Sequence, residues 1–172
     1  MFSRIEDVVL RDKVIGIFEI NKELYRIPAS VNHHHTETGG LYRHLDEVSG
    51  IVYKYYEKEN YAIPRDRMIM LAICHDLDRL GKYLEIAQDS WKRKPQYRER
   101  YGEWEQIQGR EWVNETAKTV AILAQHGIHL SEPEIHVLTF HHGGWAPDRE
   151  AYGPKSREAV LLHFADMMSL TY

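Results

Sequence analysis

Hydrophobic residues recur along this chain at intervals of three and four, the spacing that places side chains on one face of an α-helix. Between about Leu41 and Lys58, the apolar positions Leu41, Leu45, Val48 and Val52 form one stripe, and His44 falls within it. That register predicts a helix whose buried face carries a histidine. A second predicted helix, from about Arg65 to Asp78, follows Pro64 and contains Met68-Ile-Met-Leu-Ala-Ile-Cys74, which is apolar all round. Such a segment has no face to give to water, so it is expected at the centre of the molecule, with His75 and Asp76 following it.

Local signals bound the remaining elements. Ser3 with Glu6 reads as a capping box opening a helix to about Tyr25, before Ile27-Pro28. A polar loop from Pro28 to Gly40 holds His33-His34-His35. A helix from about Arg110 to Gln125 is expected to bury Val113, Ala117, Val120, Ala121 and Ala124 and to stop at Gly127. Ser131 with Glu134 is a second capping box, opening a helix that reaches His141-His142 and halts at Gly143-Gly144. A last helix runs from about Ser156 to Leu170. From Ser90 to Gly109 aromatics and charges alternate without an apolar stripe, which reads as an irregular excursion. No strand-like alternation is found, so the expected fold is an all-α bundle of about six to eight helices in one domain, residues 1–172.

Composition narrows the class. With 172 residues, 43% hydrophobic and 28% charged, the chain is long enough to bury a core and ordinary enough to be globular. Its single cysteine, Cys74, cannot form an internal disulfide. The start MFSRIEDVVL lacks the basic and apolar blocks of a signal peptide, and no apolar run approaches the roughly 18 residues that span a bilayer. These features predict a cytoplasmic protein without a membrane partner. A net charge of −4 argues against a generally basic nucleic-acid surface. What departs from the ordinary is histidine, with 11 residues.

Four ionisable residues fall on inward helical faces or helix ends: His44, His75, Asp76 and Asp166, the last within the nearly charge-free AVLLHFADMMSL. Burial of such groups is costly unless they are paired or bind a cation. Imidazole and carboxylate suit a divalent metal. A structural His–Asp pair is the alternative that the residues alone leave open.

These residues also carry a family resemblance. His44, then CHDL at Cys74 to Leu77, then Asp166 in LLHFADMMS resembles the HD superfamily of metal-dependent phosphohydrolases. The blocks HHHTETGGLYRHLDEV (His33 to Val48), HDLDRLGKY (His75 to Tyr83), HHGGW (His141 to Trp145) and SREAVLLHFAD (Ser156 to Asp166) occur in the expected order. They are similar to the HD domain of YhaM-type 3′ to 5′ exoribonucleases and to the N-terminal HD-like domain of conjugative relaxases, over most of the chain from residue 28 onward.

The resemblance implies a helical HD-type domain with one divalent ion (Mn, Fe, Co, Ni, Zn or Mg) held by His44, His75, Asp76 and Asp166, where it lowers the pKa of bound water and polarises a phosphoryl oxygen. Asp76 would orient that nucleophile. Two-metal relatives carry a further Gly-His pair, and here the corresponding position reads Gly109-Arg110, which disfavours a second ion and di-iron oxygenase chemistry. Arg79 stands where such enzymes often have lysine or glutamate. Its planar fork suits phosphate, and an ion pair with Asp78 or Glu85 is the other reading. With no acid at position 79, His141 or His142 is the candidate proton donor.

Lys82, His34, His35 and Trp145 are candidate substrate contacts around the same site. His126, His129 and His136 fit a helix end and a turn, and His163 reads as a core histidine or as a partner to the site. Trp91 to Trp104 interleaves aromatics with five basic residues between Lys92 and Arg100, a pattern compatible with single-stranded nucleic acid or with a solvated surface. The leading expectation is a phosphohydrolase for a nucleotide or a short nucleic-acid phosphodiester. The other is a non-catalytic, metal-stabilised module that binds nucleic acid or a protein partner.

Overall fold

Asp7, four residues after Ser3, caps the first helix. In the computed structural model, which describes residues 1–31, 33–56, 61–85, 104–107, 114–143 and 156–170, α1 spans Val8–Ile20 and the Leu10 amide donates to the Asp7 carboxylate at 3.0 Å. Phe2–Arg4 forms only a short 3-10 turn, and Lys22–Tyr25 forms another after α1. The expected Ser3/Glu6 box and one continuous helix to Tyr25 are therefore corrected. Ile5, fully buried and extended, draws the chain out of helical geometry between the two elements.

The next two helices follow their patterns closely. α2 spans Gly40–Tyr55 and buries Leu41, His44, Leu45, Val48 and Val52. α3 spans Arg65–Cys74, and every residue from Met68 to Cys74 is buried. Each large aliphatic side chain buried in this way contributes roughly 1.5–3 kcal/mol relative to exposure. After α3 the chain tightens into a 3-10 turn at Leu77–Arg79.

α4 spans Glu115–Gln125 and is capped by Asn114, whose side chain accepts from the Ala117 amide at 2.7 Å. Its buried residues are Thr119 and Leu123, while Ala117, Ala121 and Ala124 are exposed. The expected face is thus rotated: the larger Leu123 gains more by burial than three alanines would. The expected start at Arg110, and Val113, lie outside the described residues. α5 spans Glu132–Phe140 behind the Ser131/Glu134 capping box, and α6 spans Arg157–Ser169 with Ser156 as its cap. α2 packs against both α3 and α6, α5 against α6, and α4 against the turn after α3. The fold is an all-α bundle of six α-helices among the described residues, none of them long and apolar enough to cross a membrane.

One short strand pair, which the sequence pattern did not reveal, accompanies the helices. β1, Tyr83–Glu85, pairs antiparallel with β2, Trp104–Gln106, in the register Tyr83↔Gln106 and Glu85↔Trp104. Three residues per strand are too few for alternation to be recognised in sequence. The pair is anchored by its two buried aromatics. The Tyr83 hydroxyl donates to the Ala29 carbonyl at 3.1 Å, and Trp104 Nε1 donates to Thr38 Oγ1 at 3.2 Å.

Glu134 joins the capping box to the core. Its carboxylate accepts from the Ser131 amide at 2.7 Å and from Arg67 Nη2 at 2.8 Å. Burial raises its pKa, but the Arg67 and Ser131 hydrogen bonds outweigh burial and hold it below the ordinary 4.5. A lowered carboxyl pKa contributes stability that is full above 4.5 and is lost as pH falls through the lower folded-state value. Glu134→Gln is expected to cost about 2 kcal/mol at neutral pH, as charge-assisted hydrogen bonds do. The gap to wild type, measured by urea unfolding, should narrow as pH drops below 4.5.

Candidate metal centre

Four helices deliver the centre. His44 comes from the buried face of α2, His75 and Asp76 from the end of α3, His141 and His142 from the end of α5, and Asp166 from α6. His44 Nε2 lies 3.2 Å from His75 Nε2, 3.2 Å from Asp166 Oδ1 and 3.8 Å from Asp76 Oδ2. His75 Nε2 is 3.9 Å from both Asp76 Oδ2 and Asp166 Oδ1. All four residues are buried.

Their hydrogen bonds fix which nitrogens face inward. His75 Nδ1 donates to the Ala72 carbonyl at 2.8 Å. His44 Nδ1 donates to Ser169 Oγ at 2.9 Å, since the Ser169 hydroxyl itself donates to the Asp166 carbonyl at 2.7 Å. A neutral imidazole has one N–H. With both rings neutral, the two Nε2 atoms are then lone pairs that face each other across 3.2 Å.

The same device recurs at α5. His141, like His75, is the residue that ends its helix, and its Nδ1 donates to the carbonyl three residues back, that of Leu138, at 2.6 Å. This leaves His141 Nε2 buried and, among the described residues, without a hydrogen-bond partner, 4.0 Å from Asp76 Oδ1, which also has none there. Burial, with His142 and His75 beside it, pushes the His141 pKa down to about 3. Facing acceptors of this kind are unfavourable unless a cation lies between them. The donor set therefore fits a divalent metal, with neutral imidazole and carboxylate as ligands and ring N–H groups held by carbonyl and hydroxyl oxygens.

The carboxylates are held ionised. Burial raises the pKa of Asp76, but the Arg79 guanidinium and the surrounding histidines outweigh it and keep the group well below the usual range. For Asp166, His142 does the same. His142 sits between two acids, with Nδ1 at 3.8 Å from Asp166 Oδ2 and Nε2 at 3.6 Å from Glu115 Oε2. Burial opposes its charge, but these carboxylates push its pKa up to about 10. Among the described residues, the donor groups that could hold an ion are His44/His75/Asp76, Asp76/His141/His142 and His34/His35/His44. Asp166 Oδ1 lies beside the two histidines of the first.

Around the centre, Arg79 Nε lies 3.5 Å from Asp76 Oδ2 and Nη1 lies 3.7 Å from Glu115 Oε1. The expected ion pair of Arg79 with Glu85 is corrected, because Glu85 is bound to Arg26 at 2.7 Å. Lys82 Nζ is 2.9 Å from Glu115 Oε1 and 3.3 Å from Asp78 Oδ2. His34 is half-buried beside His44, with ring centroids 5.1 Å apart, and His35 is buried next to it. His163 Nδ1 donates to the His141 carbonyl at 2.7 Å, so it secures the backbone from which His141 projects. Trp145, the Gly109-Arg110 pair and residues 91–103 lie outside the described residues.

Three site residues escaped the sequence reading: Glu115, Ser169 and Glu47. Glu115 gathers Arg79, Lys82 and His142 onto one carboxylate. Only its place in the first turn after Asn114 could have signalled it. Ser169 lies three residues after Asp166, the spacing that puts its hydroxyl on the Asp166 carbonyl.

No family model and no solved structure matches the chain. Among curated proteins it is similar to a dihydroneopterin 2′,3′-cyclic phosphate phosphodiesterase of Methanocaldococcus jannaschii, 28% identical over 179 residues that cover 95% of this chain. The match spans 64% of that relative's length. That relative is a phosphodiesterase, and this chain carries buried His and Asp clusters that could hold a metal ion.

Proposed function

We propose that the chain is a metal-dependent phosphohydrolase that opens a phosphodiester. The observation that carries this reading is the set of facing, unprotonated acceptors: His44 Nε2 against His75 Nε2, and His141 Nε2 against Asp76 Oδ1. His44, His75, Asp76 and Asp166 would hold one divalent ion. When bound, such an ion lowers the pKa of water and polarises a phosphoryl oxygen.

The chain's own groups supply the rest. Asp76, kept ionised by Arg79, accepts a proton of the attacking water and orients it. Arg79, whose Nε has no hydrogen-bond partner among the described residues, would meet a phosphate oxygen through its guanidinium. His142 carries the proton that the leaving alkoxide needs, and Glu115 holds its ring. Lys82, tied to Glu115 and Asp78, then acts by fixing Glu115. The relative's cyclic phosphate makes a small cyclic phosphodiester the first substrate class to try. The finer resemblance to exoribonuclease and relaxase domains adds nucleotides and single-stranded oligonucleotides.

The test is elemental analysis of the purified chain, followed by assays with Mn, Fe, Co, Ni, Zn and Mg against 2′,3′-cyclic phosphates, nucleotides and oligonucleotides. Asp76→Ala is expected to lower the rate at least about 100-fold, the scale of losing a positioned base. Equal rates in wild type and variant would remove the hydrolase reading. Oligonucleotide binding without cleavage under every metal would replace it with the non-catalytic module.

A further inference from the structure

We infer that Glu47, His35 and His34 form a hydrogen-bonded chain that presents His34 Nε2 as an acceptor at the edge of the centre, for a hydroxyl or N–H group of the substrate. This rests on the proposed phosphodiester reading and specifies what the substrate carries beside its phosphate.

The chain of bonds starts at a carboxylate. Glu47 Oε2 lies 2.9 Å from His35 Nε2, and Arg43 Nε lies 3.7 Å from the other Glu47 oxygen. A carboxylate beside a guanidinium accepts, so His35 donates from Nε2, and in the neutral ring its Nδ1 is a lone pair. That lone pair is 3.2 Å from His34 Nδ1. His34 must then donate from Nδ1, which leaves His34 Nε2 as its acceptor. Sequence alone does not determine this tautomer, because free imidazole has either nitrogen available.

The backbone is built to hold the arrangement. His35 has φ +46°, alone among the described non-glycine residues in the left-handed region, and it is buried. Its carbonyl accepts from the Ala29 amide at 3.1 Å and packs on Gly40 so closely that a Cβ there would lie 1.9 Å from it. Backbone held in an uncommon conformation points to a positional demand on the side chain. His34 in turn is half-buried, with its ring against His44 and within electrostatic reach of Asp166 and Asp76. A group entering the centre beside His44 meets this ring. Glu47 and His35 are positioning residues in this scheme, and His34 makes the contact.

Two readouts test it. In nitrogen-edited NMR of histidine-labelled protein, His34 should carry its proton on Nδ1. Glu47→Ala should shift His34 toward the Nε2–H tautomer, and Glu47→Gln, whose amide oxygen still accepts, should retain the wild-type signal. A wild-type His34 protonated on Nε2 overturns the inference whatever the activity. In kinetics, His34→Ala should raise KM about tenfold for a nucleoside 2′,3′-cyclic phosphate, the loss of roughly one hydrogen bond. The ratio of kcat/KM for that compound to kcat/KM for bis(p-nitrophenyl) phosphate, which has no donor, should fall by the same factor. Equal losses on both compounds would also overturn it. Should wild type hydrolyse neither, the phosphodiesterase reading fails separately, and dissociation constants for the same two compounds, compared between wild type and His34→Ala, decide the acceptor.

Discussion

A His44→Ala/Asp166→Ala protein is expected to emerge from purification without bound divalent metal, whereas wild type retains it. His44 and Asp166 sit on different helices, and the 3.2 Å between His44 Nε2 and Asp166 Oδ1 marks the closest carboxylate–imidazole approach in the four-residue set. Removing both takes away the donors of α2 and α6, including His44, which two of the three possible donor groups among the described residues share. Ser169→Ala gives the graded comparison. It removes only the acceptor for the His44 ring N–H, and loss of such a supporting bond typically weakens metal affinity about 10–100-fold. Affinity by calorimetry should therefore rank wild type, Ser169→Ala and the double variant in that order. Added metal should also raise the melting temperature of wild type, by about 2.7 kcal/mol of linkage at a hundredfold excess over Kd, and leave the double variant unmoved. Metal content that survives in the double variant would mean that other residues hold it.

Gly40→Ala is expected to destabilise the fold by about 3 kcal/mol, at the upper end for forced overpacking, and to lower the melting temperature by roughly 6–12 °C. The added methyl would lie 1.9 Å from the His35 carbonyl oxygen and 2.7 Å from its carbon, both backbone atoms that no rotamer change can move. The strand of loop from Ala29 to His35 must shift, and the His34–His35 contact should be lost with it. Gly16→Ala is the control. Gly16 lies within α1 with nothing inside 4 Å of the new carbon, so alanine should stabilise by about 0.5–1 kcal/mol through helix propensity. Similar behaviour of the two variants would refute the close approach at Gly40.

Much of this arrangement could be read from the chain because burial leaves a periodic trace. The stripe containing His44, the apolar run before His75-Asp76, and the nearly uncharged surroundings of Asp166 each follow from the cost of placing ionisable groups inside a helix bundle. The Ser131/Glu134 capping box was legible for the same local reason. What could not be read depends on contacts between distant segments. Glu115 looks like an exposed helix-start acid until Arg79, Lys82 and His142 are brought to it. Asp7 prevails over Ser3 as a cap because Ile5 is drawn into the core and because the Asp7 amide donates to the Asp66 carboxylate, 59 residues away. The face of α4 was misjudged by counting small apolar residues instead of weighing their area. The tautomers of His75 and His141 belong between these cases. Each is set by a carbonyl three residues earlier, a regularity visible only once the helix ends are known.

The strand pair has a consequence for how the surrounding chain can vary. Glu85 and Trp104 face each other at one end of it, so two residues with 18 others between them in sequence stand side by side. Lys82 and Tyr83 are secured on the near side, the first through the Ile107 amide on its carbonyl at 2.9 Å and the second through Ala29. The length of chain between Glu85 and Trp104 is therefore not fixed by the distance it has to span. Doubling it would cost only about 0.6 kcal/mol in closure entropy. The pair works as a mounting point, holding its two ends together whatever the number of residues that join them.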